Sequence, residues 1–136
     1  MLWLTNMGRE LTTVHLQESG EMYLETIYIL TRQGKRVRAV DVGEYMGFSK
    51  PSVSRAMSIL RSGGFVELDR DGFLVLTEEG ERVAGRTYAR HEFFTGFFKS
   101  IGVSEETAEA DACKIEHDIS DETFEAMKRF WASLDK

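Results

Sequence analysis

Gly47-Phe48-Ser49-Lys50-Pro51-Ser52-Val53-Ser54-Arg55 is the stretch that decides the fold. Before it, Val40 to Met46 reads as a short helix with Val42, Tyr45 and Met46 apolar, and Gly47 follows its end. Ser49 is placed to cap a second helix, because a serine hydroxyl at that position accepts from a free amide of the first turn. Pro51 falls in that first turn, where its missing N–H costs nothing. Val53, Met57 and Leu60 then recur at helical spacing and face a core, while Lys50, Ser52, Ser54, Arg55 and Arg61 face outward. Gly63-Gly64 ends the helix.

Working outward toward the C-terminus, Phe65-Val66-Glu67-Leu68 and Phe73-Leu74-Val75-Leu76 are two β-type runs around Asp69-Arg70-Asp71-Gly72, a hairpin turn signal. Toward the N-terminus, residues 18–33 read as a first helix, with Ser19 as its expected N-cap and Leu24, Ile27, Tyr28 and Leu30 at helical spacing before Gly34. Helix, short helix, turn, helix, hairpin is the order of a winged helix-turn-helix, expected over residues 1–77. Residues 1–17 are weakly patterned and expected to be poorly anchored, with Met7 an alternative start.

The overall charge of −6 runs against nucleic-acid binding until it is divided along the chain. Residues 104–136 hold ten acids and four bases, whereas residues 32–62 hold seven bases against Asp41 and Glu44. No acid stands between residues 50 and 62, which suits a recognition helix facing phosphate and base edges. Ser49, Lys50, Pro51, Ser52, Ser54 and Arg55 are its candidate contacts.

Beyond the hairpin, Thr77 caps a long fourth helix running to about Ser100, with Glu78 and Glu79 in its first turn. Gly102 breaks it, Ser104 starts a fifth helix, and Ser120 starts a sixth that ends in Phe130-Trp131. The fifth helix carries Cys113-Lys114-Ile115-Glu116-His117. On a helix this spacing puts a thiol, a carboxylate and an imidazole on one face, a donor set for a borderline transition metal. By itself the string equally describes a buried cysteine beside a solvated Glu-His pair. Phe93, Phe94, Phe97, Phe98, Phe124, Phe130 and Trp131 exceed what a small helical module needs for its own core, and the surplus suits a dimer seam.

Taken together, five strings in this order resemble the diphtheria toxin repressor and manganese transport regulator family. They are Met22-Tyr23-Leu24-Glu25-Thr26-Ile27-Tyr28, Ser49-Lys50-Pro51-Ser52-Val53-Ser54, the Leu76-Thr77-x-x-Gly80 exit from the wing, His91 after Arg90, and Ile115-Glu116-His117. The likeness covers roughly residues 18–131. It implies a mainly α protein with a β-hairpin wing, in which the winged helix-turn-helix precedes a helical metal-binding and dimerisation domain over residues 78–136. It further implies a homodimeric, metal-activated repressor of metal-uptake genes on a palindromic double-stranded operator. Position by position, Met22, Cys113, Glu116 and His117 match the iron-type primary site, His91 a second-site ligand, and Glu25 a first-helix ligand of the manganese branch. The chain has manganese-branch length, without the SH3-like third domain of iron-type members, but iron-type chemistry. Thr95 and Glu109 stand where iron-type second sites have a Glu and a His, so that site is expected to be weak, altered or absent.

Soft or borderline donors at Met22 and Cys113 favour ferrous iron, with manganese next and zinc or cobalt binding in the test tube. An apolar content of 42% with 29% charged residues is that of a globular chain. No apolar run reaches the roughly 18 residues a membrane span needs, and Met1-Leu2-Trp3-Leu4 lacks the features of a secretory leader. The single cysteine fits a reducing cytoplasm. An enzyme is not expected, since no nucleophile elbow, phosphate loop or HExxH motif is present, and neither a membrane nor a small organic substrate is expected as partner. A small metalloenzyme and a winged-helix regulator sensing something other than metal are the rival readings.

Overall fold

The computed structural model describes residues 18–134, so the expectations about residues 1–17 lie outside it. Six helices and one two-stranded hairpin follow one another: α1 Glu18–Arg32, α2 Ala39–Met46, α3 Lys50–Ser62, β1 Val66–Leu68, β2 Leu74–Leu76, α4 Glu78–Ser100, α5 Glu105–Ile115 and α6 Asp121–Ser133. They form two compact units that divide after Gly85, within α4.

In the first unit, Leu24, Ile27 and Leu30 of α1 bury against Val42 of α2 and Val53, Met57 and Leu60 of α3, with Phe65, Val66 and Leu74 closing the core. Each aliphatic or aromatic side chain so buried contributes about 1.5–3 kcal/mol relative to exposure, which fixes α2 and α3 as one helix-turn-helix. Gly47 makes the turn between them. At φ +74 it enters the left-handed region open mainly to glycine, and its N–H donates to Gly43 O at 2.8 Å. The wing is antiparallel, with Val66 opposite Leu76 and Leu68 opposite Leu74. Asp69 shapes its turn, its Oδ1 accepting from the amides of Asp71 and Phe73 at 2.9 Å each. A further bridge joins Val37 to Leu74, so the strand-like segment before α2 lies along the free edge of β2.

Thr77 and Gly80 secure the exit from the wing. The Thr77 hydroxyl donates to Gly64 O at 2.7 Å and accepts from Gly80 N at 3.1 Å. A Cβ on Gly80 would stand 2.1 Å from Phe65 O, so the first turn of α4 approaches the chain entering β1 as closely as only glycine permits.

The second unit packs Phe94, Ala112 and Phe124 as its innermost residues, with Phe93, Phe98, Ile115, Ile119 and Met127 around them. Ser104 and Ser120 cap α5 and α6, accepting from Thr107 N at 3.3 Å and Thr123 N at 3.2 Å. Two boundaries differ from expectation. Ser19 stands inside α1 rather than at its cap, because the helix is already formed at Glu18. The fifth helix stops at Ile115, so Glu116 is its C-cap and His117 lies in the turn beyond. No helix among the described residues is long and apolar enough to cross a membrane.

Candidate metal centre and reading helix

Glu116 is the centre of the second unit's polar interior. It is 1% exposed, and isolating a carboxylate from water this completely is unfavourable unless positive charge or hydrogen bonds compensate. Two imidazoles approach it from different parts of the chain. His91 on α4 places Nδ1 2.8 Å from Glu116 Oε2, and His117, from the turn after α5, places Nε2 3.3 Å from Glu116 Oε1. The His117 side chain is as buried as the carboxylate, and that of His91 is partly exposed. The resemblance gives His91 and His117 to different sites, yet here one carboxylate touches both. Two imidazole nitrogens and a carboxylate are donors that suit most divalent transition metals, so these residues fit the cation that the sequence implies.

The remaining candidates are placed as follows. Cys113 is half-buried on α5, one turn before Glu116. Met22 and Glu25 share a face of α1 in the first unit, three residues apart. Met22 is half-buried and Glu25 is 8% exposed.

One residue of this centre escaped the reading of the sequence. Arg90, beside His91, is 5% exposed. Its Nη1 donates to Glu116 O at 3.2 Å and to Ile119 O, and its Nη2 pairs with Asp121. The signal was present in the periodicity of α4, since Thr87, Arg90 and Phe94 recur on one buried face.

In the first unit the candidate reading residues line the start of α3. Ser49, Lys50, Pro51, Ser54 and Arg55 are exposed, and Ser52 is half-buried. Ser49 accepts from Ser52 N at 3.3 Å and donates to the Ser52 hydroxyl at 3.0 Å, so both serines serve the cap. Arg55 lies close enough to Tyr23 for its charge to favour the phenolate, although burial wins and holds the Tyr23 hydroxyl above its ordinary pKa. Tyr23 also meets Phe48 edge-on at 5.8 Å, which ties α1 to the turn before the reading helix.

Comparison with known proteins bears on both units. A family model described as iron dependent repressor, N-terminal DNA binding domain, matches residues 15–74. A second, described as iron dependent repressor, metal binding and dimerisation domain, matches residues 77–136. The transcriptional regulator MntR of Escherichia coli O157:H7 is 34% identical over 122 residues, 90% of this chain and 79% of that protein. The HTH-type transcriptional regulator MntR of Geobacillus kaustophilus is 34% identical over 102 residues, 75% of this chain and 72% of that one. The solved structure of the manganese regulator SloR gives a TM-score of 0.75 at 25% identity and covers 85% of this chain. The chain spans about half the length of that structure, 54% of it.

Proposed function

The chain belongs to the iron-dependent repressor family, and from that premise we propose that it is a metal-dependent, DNA-binding transcriptional repressor acting as a homodimer on a palindromic operator. It is a transcriptional regulator and not an enzyme. The observation that carries the reading is the buried Glu116 carboxylate between the imidazoles of His91 and His117. Such a group has little use in a domain that only packs, because replacing it by apolar side chains is often neutral or stabilising.

We assign His91, Cys113, Glu116 and His117 as the ligands contributed by the second unit. Met22 and Glu25 are the proposed ligands from α1, supported by their match to the family's first-helix positions and by the burial of Glu25. A bound cation would place positive charge beside these buried carboxylates. Ferrous iron is the proposed effector, because the thioether of Met22 and thiol of Cys113 are softer than the donors manganese prefers. Manganese is the second reading, favoured by the oxygen and nitrogen donors of Glu25, His91, Glu116 and His117 and by the SloR likeness, that protein being described as a manganese regulator.

Ligands on α1, the helix packed directly under the reading head, give metal a means of favouring the DNA-competent arrangement. It does so only by the difference in its affinity for the two arrangements. Ser49, Lys50, Pro51, Ser52, Ser54 and Arg55 are proposed to meet the major groove. The single cysteine and this function support a cytoplasmic location. The test is operator binding by His91→Ala and Glu116→Gln with saturating metal. Loss of the metal-stimulated component with metal-independent binding retained is the expected result, and full stimulation in both variants would remove these ligands from the proposal.

A further inference from the structure

Resting on the assignment of His91, Glu116 and His117 as ligands, we propose that Arg90 is the positioning residue of the metal centre, pinning through its guanidinium the turn that presents Glu116 and His117. Five residues, Glu116 to Ser120, lie between α5 and α6, and within them Asp118 N donates to Ile115 O at 3.0 Å. Arg90 Nη1 donates to the carbonyls of Glu116 and Ile119, so a single nitrogen clamps the turn on either side of His117 and Asp118. Nη2 pairs with the exposed Asp121 at the start of α6, and the guanidinium carbon stands 5.2 Å from the Phe124 ring centroid.

The geometry links this clamp to the ligands rather than to packing alone. Arg90 and His91 are consecutive on α4 and both reach Glu116, the arginine at its main-chain oxygen and the histidine at its carboxylate. The clamp and the ligand therefore move as one piece of helix. A planar fork with donors in fixed directions holds two carbonyls and a carboxylate together in a way that a lysine ammonium does not match. Burying the guanidinium with its Nε lacking a hydrogen-bond partner among the described residues is a poor way to gain stability, since an apolar side chain of similar length fills such space at less cost. Partners of this outer kind orient ligands, and losing one typically weakens metal binding by about 10–100-fold.

The experiment titrates the metal-free full-length chain with Co(II), following d–d absorption and, separately, thermal unfolding without metal. Glu116→Gln reports on the site itself. If it binds Co(II) like the parent, the assignment of the site has failed whatever Arg90 does. With that control lost as expected, Arg90→Met should bind at least about tenfold more weakly and with an altered spectrum, while its metal-free melting temperature stays near the parent's. Arg90→Lys should recover part of the affinity. Asp121→Asn, which keeps both carbonyl contacts, should bind nearly as well as the parent. Parent-like affinity and spectrum in Arg90→Met would overturn the inference, as would losses of affinity that simply follow melting temperature across all variants. Should Arg90→Met not fold, Arg90→Lys must bind more weakly than Asp121→Asn, and equal affinities overturn it.

Discussion

At the scale of single residues, charge placement decides which substitutions matter. Glu116→Gln keeps the shape of a buried carboxylate while removing its charge, so it separates ligation from packing. Cys113 is tested by two changes. Cys113→Ala should weaken operator binding under iron activation with fold and dimer intact, and Cys113→Asp should shift preference toward manganese, which favours oxygen. Both are read by fluorescence anisotropy under anaerobic conditions, and unchanged iron activation in Cys113→Ala would take the thiol out of the ligand set. Asp69 gives a prediction in pH. Amide donors from Phe73 and Asp71 and the nearby Arg36 guanidinium hold its carboxyl below the ordinary value of 3.8. A depressed folded-state pKa contributes stability that is complete above that value and is lost as pH falls below it through the lowered one. Asp69→Asn, whose side-chain oxygen still accepts from the turn amides, should therefore melt below the parent at neutral pH, where the parent's carboxylate is charged, and converge with it as pH falls below about 4. Melting temperatures across that range measure it, and a parallel loss at all pH values would assign Asp69 a purely geometric role. The spacing of Cys113, Glu116 and His117 was read as one helix face, but α5 stops at Ile115 and His117 lies in the turn beyond. Arg90 was not legible in the sequence, because an arginine on a helix usually faces water and its partners are between 26 and 31 residues away.

Elements were readable to the extent that their ends are written locally. Ser49, Ser104 and Ser120 each cap the helix that the sequence assigned to them, since a cap needs only its own hydroxyl and an amide three residues on. The early end of α5 was not local. The Glu116 carbonyl, which a continuing helix would offer to the next turn, is taken by Arg90 from α4. Gly80 was visible as part of a motif, but its reason is tertiary: the contact is with Phe65, on the far side of the wing. Gly80→Ala should thus cost about 3 kcal/mol, at the severe end of overpacking, measured by urea unfolding of the metal-free protein; a change below about 1 kcal/mol would show that α4 shifts freely at its start. On the reading helix, Arg55→Ala should cost about 1–3 kcal/mol of operator affinity and relax sequence preference if it meets a base edge. Lys50→Ala should weaken all sequences alike and lower the salt slope by about one. Parent-like binding in both would mean that α3 is not the reader.

For the whole molecule, charge and apolar surface divide the labour. The basic stretch at residues 32–62 falls in the first unit and the acidic residues 104–136 in the second, so repulsion from phosphate should keep the latter off DNA. The second unit also has a groove lined by Phe93, Phe97, Met127, Phe130 and Trp131, with Phe130 66% exposed, apolar surface that the proposed dimer would bury. Sequence showed this surplus of aromatics but not which were spare, because that depends on how α4 and α6 pack. The central claim is that metal switches DNA binding on. Its most direct measurement is an anaerobic titration of metal-free protein onto operator duplex, with ferrous, manganous or zinc ion supplied separately and with chelator alone. The expected result is weak, sequence-indifferent binding with chelator and tight, specific binding by a dimer with ferrous iron, manganese acting less strongly. Equal affinity for operator with chelator and with every metal would contradict it.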